Sequence, residues 1–241
     1  MNILGFNVYW QDFAPLILFK IFRSLKMRNQ DGKWIAQIDS HHIDSYSQYN
    51  EDLMVDAILG LKESGFYVDI GANDPVIANN TERFYKKGWK GINIEPNPLL
   101  FKKVCACRPD DINLNIGIGE KNGESDFYSL LPDTLSTFEK KTILKNQLLN
   151  RAKLVEVKKI LVRPIKDVFS EYLEGNYIDF MSVDVEGNDL HVLRSNDWSR
   201  YRPKLIMVEI KDDESNIVKY LRDKGYDYIF SNGTNGIFTR K

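Results

Sequence analysis

The chain has 241 residues, 33 Lys+Arg against 34 Asp+Glu and a formal charge of −1; this balance excludes bulk electrostatic binding to nucleic acid, which needs a basic surplus to displace counterions. Apolar residues at 43%, aromatics at 12% and charged residues at 28% exclude disordered and collagenous classes and describe one α/β domain with decorations. Cys105 and Cys107 sit one residue apart, with no CxxC and no Cys/His cluster, so neither a disulfide framework nor a zinc site is expected and the compartment reads as reducing, hence cytoplasmic.

Residues 1–45 read as an N-terminal apolar/helical extension, and 46–241 as the domain. Met1 to Trp10 lacks the basic start of a signal peptide. The apolar run Phe13 to Phe22 is interrupted by Lys20 and stopped by Arg23, too short to span a bilayer. Two readings stay open for it. One is an interfacial helix with Lys20, Arg23, Lys26 and Arg28 toward headgroups, giving peripheral contact with the inner face of a membrane; the other is a helix packed on the domain or on a second subunit of a homo-oligomer.

From Gly65 onward, short β-rich runs alternate with helical patterns, which predicts a parallel sheet with crossover helices. Gly65 to Ile70 predicts a buried strand and Ile77 to Lys87 a helix, with Pro75 near its first turn and Gly88 after its end. Gly91 to Glu95 predicts the second strand, Pro98 to Cys107 a helix, and Ile112 to Ile118 a third strand, turned by Lys121-Asn122-Gly123 into a hairpin with Ser125 to Tyr128. Residues 130–160 break the rhythm as an insertion with a long helix-like segment, Phe138 to Ala152. Regular alternation resumes with a helix at Ile165 to Leu173, strands at Tyr177 to Val183 and Lys204 to Ile210, and helices at Asp189 to Trp198 and Glu214 to Lys224. Tyr226 to Phe230 and Ile237 to Arg240 then close the chain as an antiparallel hairpin.

The strongest motif is Tyr67-Val-Asp69-Ile-Gly71-Ala-Asn73-Asp-Pro75. Here an acidic residue ends a strand, a glycine lets backbone approach a ligand, and the following helix is expected to offer its N-terminal N–H groups. The dinucleotide fingerprint G-x-G-x-x-G is absent, and Asp69 would repel a pyrophosphate while suiting an ammonium. Glu95, in Ile92-Asn-Ile94-Glu95-Pro96-Asn97-Pro98, ends the next strand at the interval from which a carboxylate accepts both ribose hydroxyls. It marks a nucleoside without naming it, because NAD and S-adenosylmethionine proteins share it.

In these residues and their order, the chain resembles the FkbM-type S-adenosylmethionine-dependent methyltransferases. The resemblance rests on Ser47-Gln48-x-x-Glu51-Asp52, Tyr67 to Pro75, Asn80-Thr81, Phe84-Tyr85 and Gly88-Trp89-x-Gly91-Ile-x-Ile-Glu-Pro-Asn-Pro98. It continues through Asn115-Ile-Gly-Ile-Gly119, Ser136-Thr137-Phe138, Ser182-Val-Asp184-Val-Glu186-Gly187 and Val208-Glu209, and so covers the chain from about Ser47 to its end. The departure is Pro75, where many members carry glycine; it stiffens the turn and leaves room for the cofactor. The resemblance implies an α/β fold of the class I methyltransferase, Rossmann-like type, with a seven-stranded, mostly parallel sheet and a C-terminal antiparallel hairpin. It also implies S-adenosyl-L-methionine as cofactor and methylation of a hydroxyl, with a small-molecule or glycan acceptor such as a sugar of a cell-surface glycan or its precursor. Gln48 and Glu51 are then expected to shape the cofactor pocket with Asp69, Gly71, Asn73 and Glu95. Asn115 would lie near the adenine or ribose, or cap backbone.

Asp184, Glu186 and Glu209 are expected to converge at the carboxyl edge of the sheet, where ligands bind in open α/β sheets. Two mechanisms follow. Asp184 or Glu186 acts as a general base toward the acceptor hydroxyl, or Asp184, Glu186 and Glu209 hold a hard divalent ion such as Mg²⁺ that lowers the hydroxyl pKa. His191, about a turn and a half beyond Glu186, serves as a base if its ring faces the pocket and is otherwise a solvent-side helix residue. The lysines of the insertion, Lys140, Lys141, Lys145, Lys153, Lys158 and Lys159, read as a solvated face or as a site for acceptor phosphates. Competing functions are methylation of a natural-product or lipid hydroxyl and, in another class, an NAD-dependent sugar oxidoreductase. The latter has its Tyr-x-x-x-Lys pair, Tyr220 and Lys224, on a late helix away from the expected site. A nucleic-acid methyltransferase would carry an Asn/Asp-Pro-Pro-aromatic motif where this chain has Asp184-Val-Glu-Gly187.

Overall fold

The computed structural model describes residues 45–173, 175–211 and 213–241 with their side chains, and the backbone pairing of four short strands ahead of them. Those four, Asn2–Ile3, Phe6–Asn7, Leu25–Gln30 and Lys33–Ile38, form two antiparallel pairs. The run Phe13 to Phe22 lies outside the described residues.

Helix α1 (Glu51–Ile58) leads into strand β1 (Phe66–Ile70), helix α2 (Glu82–Lys86), strand β2 (Lys90–Ile94), helix α3 (Pro98–Cys107) and strand β3 (Ile112–Leu114). The insertion holds β4 (Gly117–Ile118), β5 (Gly123–Leu131), α4 (Lys140–Leu148) and β6 (Lys153–Arg163). Then come α5 (Ile165–Tyr172), β7 (Phe180–Val183), α6 (Asp189–Arg194), β8 (Leu205–Glu209), α7 (Glu214–Asp223), β9 (Tyr226–Ser231) and β10 (Asn235–Arg240). The main sheet has the order β9-β10-β8-β7-β1-β2-β3, extended at the β9 edge through Asn7 opposite Ser231. Strands β3, β2, β1, β7 and β8 run parallel, and β10 lies antiparallel to both β8 and β9. This is the class I methyltransferase arrangement expected from the sequence. Its chain order reverses between β1 and β7, which opens a crevice at their carboxyl ends.

The central strands are apolar throughout because crossover helices cover both faces. Val68, Ile70, Ile92, Ile94, Met181 and Val183 face one layer with α5, α6 and α7. Tyr67, Phe180, Leu205 and Met207 face the other, with Val55 of α1, Phe84 of α2 and Trp89. Burying each such aliphatic side chain contributes about 1.5–3 kcal/mol, so the strand ends that carry the polar residues stand on a rigid base.

Four expectations change. The helix predicted over Ile77 to Lys87 begins only at Glu82. Asn73 and Ala78 adopt left-handed backbone (φ 48 and 52), and the Asn79 side chain accepts from the Thr81 and Glu82 N–H groups (2.9 and 2.8 Å), which starts the helix late. The third strand ends at Leu114 and Gly117–Ile118 leaves for a second sheet, because the Asn115 amide is tied to the carbonyls of Glu95 and Pro96 (2.8 and 2.9 Å). Consequently Ser125 to Tyr128 makes no hairpin with it. β5 pairs antiparallel with β6, and β6 pairs parallel with β4. The helix predicted for Phe138 to Ala152 is shorter, and the eleven-residue β6 had been hidden because lysines interrupt its β-branched residues.

Candidate active site

A cavity of about 320 Å³ opens at the carboxyl ends of β1, β2, β7 and β8. Asp69, Gly71, Asn73, Glu95, Asp184, Glu186 and Glu209 line it, together with Gln48 and Tyr49 from the lead-in and Ser136 and Phe138 from the insertion. The second sheet supplies a wall: Phe138 packs against Phe127 (ring centroids 4.9 Å apart) and closely over Gly117.

Gly71 sits where β1 and β7 diverge. Its φ is +86°, and a Cβ there would lie 1.8 Å from the Asp184 carbonyl oxygen, so no other residue fits without moving the backbone. The N–H groups of Gly71 and Ala72 both donate to the Ile94 carbonyl (2.9 and 3.1 Å). The expected offer of free helix N–H groups to a ligand is therefore not made here, since the helix begins eleven residues later.

Glu95 is 4% exposed, and each of its oxygens accepts one backbone N–H: Oε2 from Asn73 and Oε1 from Asn97, both at 2.7 Å. A carboxylate has about four acceptor sites, so two remain for ligand hydroxyls at the cavity wall. Burial pushes its pKa up to about 7 against the pull of those two N–H groups. Asn115 lies behind this residue, off the cavity wall, and caps the Glu95 and Pro96 carbonyls.

Asp69 is buried, accepts from Thr81 Oγ1 (2.6 Å) and lies 3.9 Å from Arg108 Nη1. Burial raises its pKa and the Arg108 guanidinium works against that. The role of Arg108 emerges only from the folded arrangement. It is fully buried, donating through Nη1 to Thr81 Oγ1 and Asn93 Oδ1 (2.7 and 2.8 Å) and through Nη2 to the Pro75 carbonyl and Asn79 Oδ1 (both 2.8 Å), with Glu82 Oε2 at 3.3 Å. One guanidinium thus clamps the 75–82 loop to β1 and β2. An arginine after the end of a helix carries no local signal of such contacts, which come from segments 15 to 33 residues away.

Glu51 does not reach the cavity. It is buried, with Oε1 accepting from the Asn232 and Asn235 amides (2.9 and 2.8 Å) and Oε2 from the Tyr49 N–H (2.7 Å). Its contribution is to place Gln48 and Tyr49, which do line the cavity.

On the other side, oxygens of Asp184, Asp189 and Glu209 all lie within 4.8 Å of one another. Glu186, expected in that trio, is replaced in it by Asp189. Glu186 stays on the cavity wall in left-handed backbone (φ 53), its carbonyl accepting from Thr137 Oγ1 (3.0 Å). Asp189 accepts from the Val185 and Gly187 N–H groups (3.1 and 3.2 Å), and Lys211 Nζ lies 3.7 Å from Glu209. Burial first, then mutual repulsion, pushes the pKa of Asp184 and Glu186 well up, and burial with the Asp184 charge takes Asp189 up to about 7. His191 is not part of this group. Its side chain is 56% exposed on the outer face of α6, with Nδ1 2.9 Å from Glu120 Oε1, so the expected catalytic role is withdrawn. Tyr220 is likewise a packing residue, its hydroxyl accepting from Trp198 Nε1 (3.0 Å).

Residues 69–228 match the methyltransferase FkbM domain. The chain belongs to that family. No curated protein matches the chain. Similar solved structures include methyltransferase FkbM from Methylobacillus flagellatus KT, at 15% identity and TM-score 0.46, covering 73% of this chain and 44% of that one. They also include precorrin-6y C5,15-methyltransferase from Geobacter metallireducens GS-15, at 14% identity and TM-score 0.41, covering 84% and 95%. This chain therefore spans less than half the length of the Methylobacillus protein. In the FkbM domain described here, the match begins at Asp69 and takes in Glu95 and the whole acidic group. It leaves Gln48 and Glu51 before its start.

Proposed function

We propose that this FkbM domain binds S-adenosyl-L-methionine and transfers its methyl group to a hydroxyl oxygen, the acceptor being a sugar of a cell-surface glycan or its precursor. The observation that carries the reading is the Glu95 carboxylate, fixed by two backbone N–H groups with acceptor capacity left at the cavity wall, beside a wall of carboxylates that suits a cationic ligand. The sugar rests on the family resemblance. When bound, S-adenosylmethionine supplies a methyl carbon already activated by its sulfonium. Glu95 would hold the ribose hydroxyls, the Gly71 turn would admit the ligand against the backbone, and Asp69 would face the ammonium. Asp184 would take the acceptor hydroxyl proton on a carboxylate oxygen. Burial, and after it repulsion from Glu209 and Asp69, favours protonation of this group; a positive charge nearby restores the ionised form a base needs.

A second reading has Asp184, Asp189 and Glu209 holding a divalent ion that would acidify the hydroxyl, favoured by the close approach of their oxygens. Full activity after thorough chelation removes it. The function itself is tested by mass spectrometry of surface glycans from a deletion strain. One methyl mass lost from a defined sugar supports the sugar acceptor, whereas unchanged glycans would move the acceptor to a natural-product or lipid hydroxyl.

A further inference from the structure

The insertion carries a surface that the cavity chemistry does not use. Among the described residues, exposed large apolar side chains concentrate there: on and just after α4, Leu144 is 60% exposed, Leu148 83% and Leu149 50%, and Leu131 and Val155 on the neighbouring strands are also open. Only Ile143 and Asn146 of α4 are buried, so the helix packs by a narrow stripe and presents its leucines to solvent. Leu144 and Leu148, four residues apart on one face of α4, with Leu149 next in the chain, make an exposed apolar surface of the kind that marks an interaction site.

Charge identifies what it meets. From 140 to 155 the chain holds Lys140, Lys141, Lys145, Arg151 and Lys153 and no Asp or Glu, in a protein whose overall formal charge is −1. Farther along β6, Lys158 pairs with Glu156 and Lys159 with Asp126 (2.8 and 2.7 Å), so acidic residues return there. A second copy of this chain fits poorly: a two-fold contact would set this basic stretch against itself, and like charges across an interface are unfavourable. A nucleic acid would engage the lysines and leave the leucines in water. An anionic bilayer surface satisfies both, with headgroups meeting the cations and leucines entering the acyl boundary.

We propose that α4 and the turn after it dock this protein on an anionic membrane surface. The first turn of α4 lies against the acidic loop of the site, since a Cβ placed on Gly187 would come 2.9 Å from Thr142 Oγ1 and 3.1 Å from Glu139 Oε2. Docking through α4 therefore holds the cavity rim at the membrane, where a membrane-anchored acceptor would be presented. The inference does not depend on the methyl-transfer reading, because its test needs no turnover.

The test is flotation of the full chain with vesicles of pure phosphatidylcholine and with vesicles containing about 30 mol% phosphatidylglycerol at about 0.1 M salt. The expected result is co-flotation with the anionic vesicles alone, and a loss of about tenfold or more in bound fraction for both Lys140→Glu/Lys141→Glu and Leu148→Ser/Leu149→Ser. These positions are exposed, and unchanged thermal melting shows that each variant is folded; two independent variants keep the test valid if one is not. Absence of co-flotation overturns the proposal, as does equal binding to both vesicle types. Binding retained by both variants places the contact elsewhere on the chain, and a dimer dissociated by Leu148→Ser/Leu149→Ser assigns the face to a second copy; either result also overturns it.

Discussion

The two ends of the cavity are built from the same chemical group and behave in opposite ways. At the β1–β2 end, the carboxylate of Glu95 is met by two backbone N–H groups, and Asp69 by Thr81 and the Arg108 framework. At the β7–β8 end, Asp184, Asp189 and Glu209 crowd one another, Glu186 stands on the same wall, and Lys211 is the nearby cation on Glu209. At the first end, Glu95 is preorganised to accept hydrogen bonds from neutral hydroxyls. The second gathers buried carboxylates that repel one another, an arrangement that a nearby positive charge would relieve.

The largest way to break the contrast is to remove the framework of the first end. Arg108→Ala leaves Glu82 and Asp69 buried without their cation, and is expected to lower stability by about 3–5 kcal/mol, read by urea unfolding. A loss under about 1 kcal/mol would show that the 75–82 loop is held by other means.

Next in size, Asp184→Asn is expected to reduce turnover by about 100-fold or more while leaving S-adenosylmethionine affinity within a few-fold. Glu95→Gln replaces a carboxyl with two acceptor oxygens by an amide with one, and should weaken the cofactor by about 10-fold with a smaller effect on the rate at saturation. If the two variants exchange phenotypes, the functions of the two ends have been assigned in reverse.

The pH dependence follows from the raised carboxyl groups. Glu95 and Asp189 are pushed up to about 7, and Asp184 and Glu186 are also raised. For these groups the folded state binds more protons than the unfolded chain once pH exceeds the ordinary carboxyl values, so the stability they contribute is fully present below about 4 and is lost as pH rises through about 7. Thermal melting of the ligand-free protein should show this decline. S-adenosylmethionine should reverse part of it, and S-adenosylhomocysteine, which lacks the sulfonium charge, should reverse less. The smallest effect is expected at His191: His191→Ala should leave turnover and its pH profile unchanged, since its ring faces Glu120 and solvent.

How much of this was legible in the sequence divides along the same line. Asp69, Gly71, Glu95, Asp184 and Glu209 each end or follow an apolar run, and a parallel sheet brings such ends to one edge, so their convergence could be read from pattern alone. Residues whose function depends on side chains crossing between elements were not legible. Arg108 reaches a loop 26 to 33 residues upstream, and Asp189 joins the acidic group because the left-handed Glu186 and Gly187 (φ 53 and 106) turn the start of α6 back toward β8. The motif around Glu51 points to the cavity, but two asparagine amides of the C-terminal hairpin hold this residue outside. The insertion resists reading because β6 hides its strand pattern under lysines, and its partner β5 lies 22 residues back at the closest described pairing.

The central claim is that this cavity is built for a cationic nucleoside donor, and calorimetric titration tests it most directly. The protein is expected to bind S-adenosylmethionine and S-adenosylhomocysteine and to show no heat with NAD, with Glu95→Gln weakening both ligands. Binding of NAD without S-adenosylmethionine would contradict it.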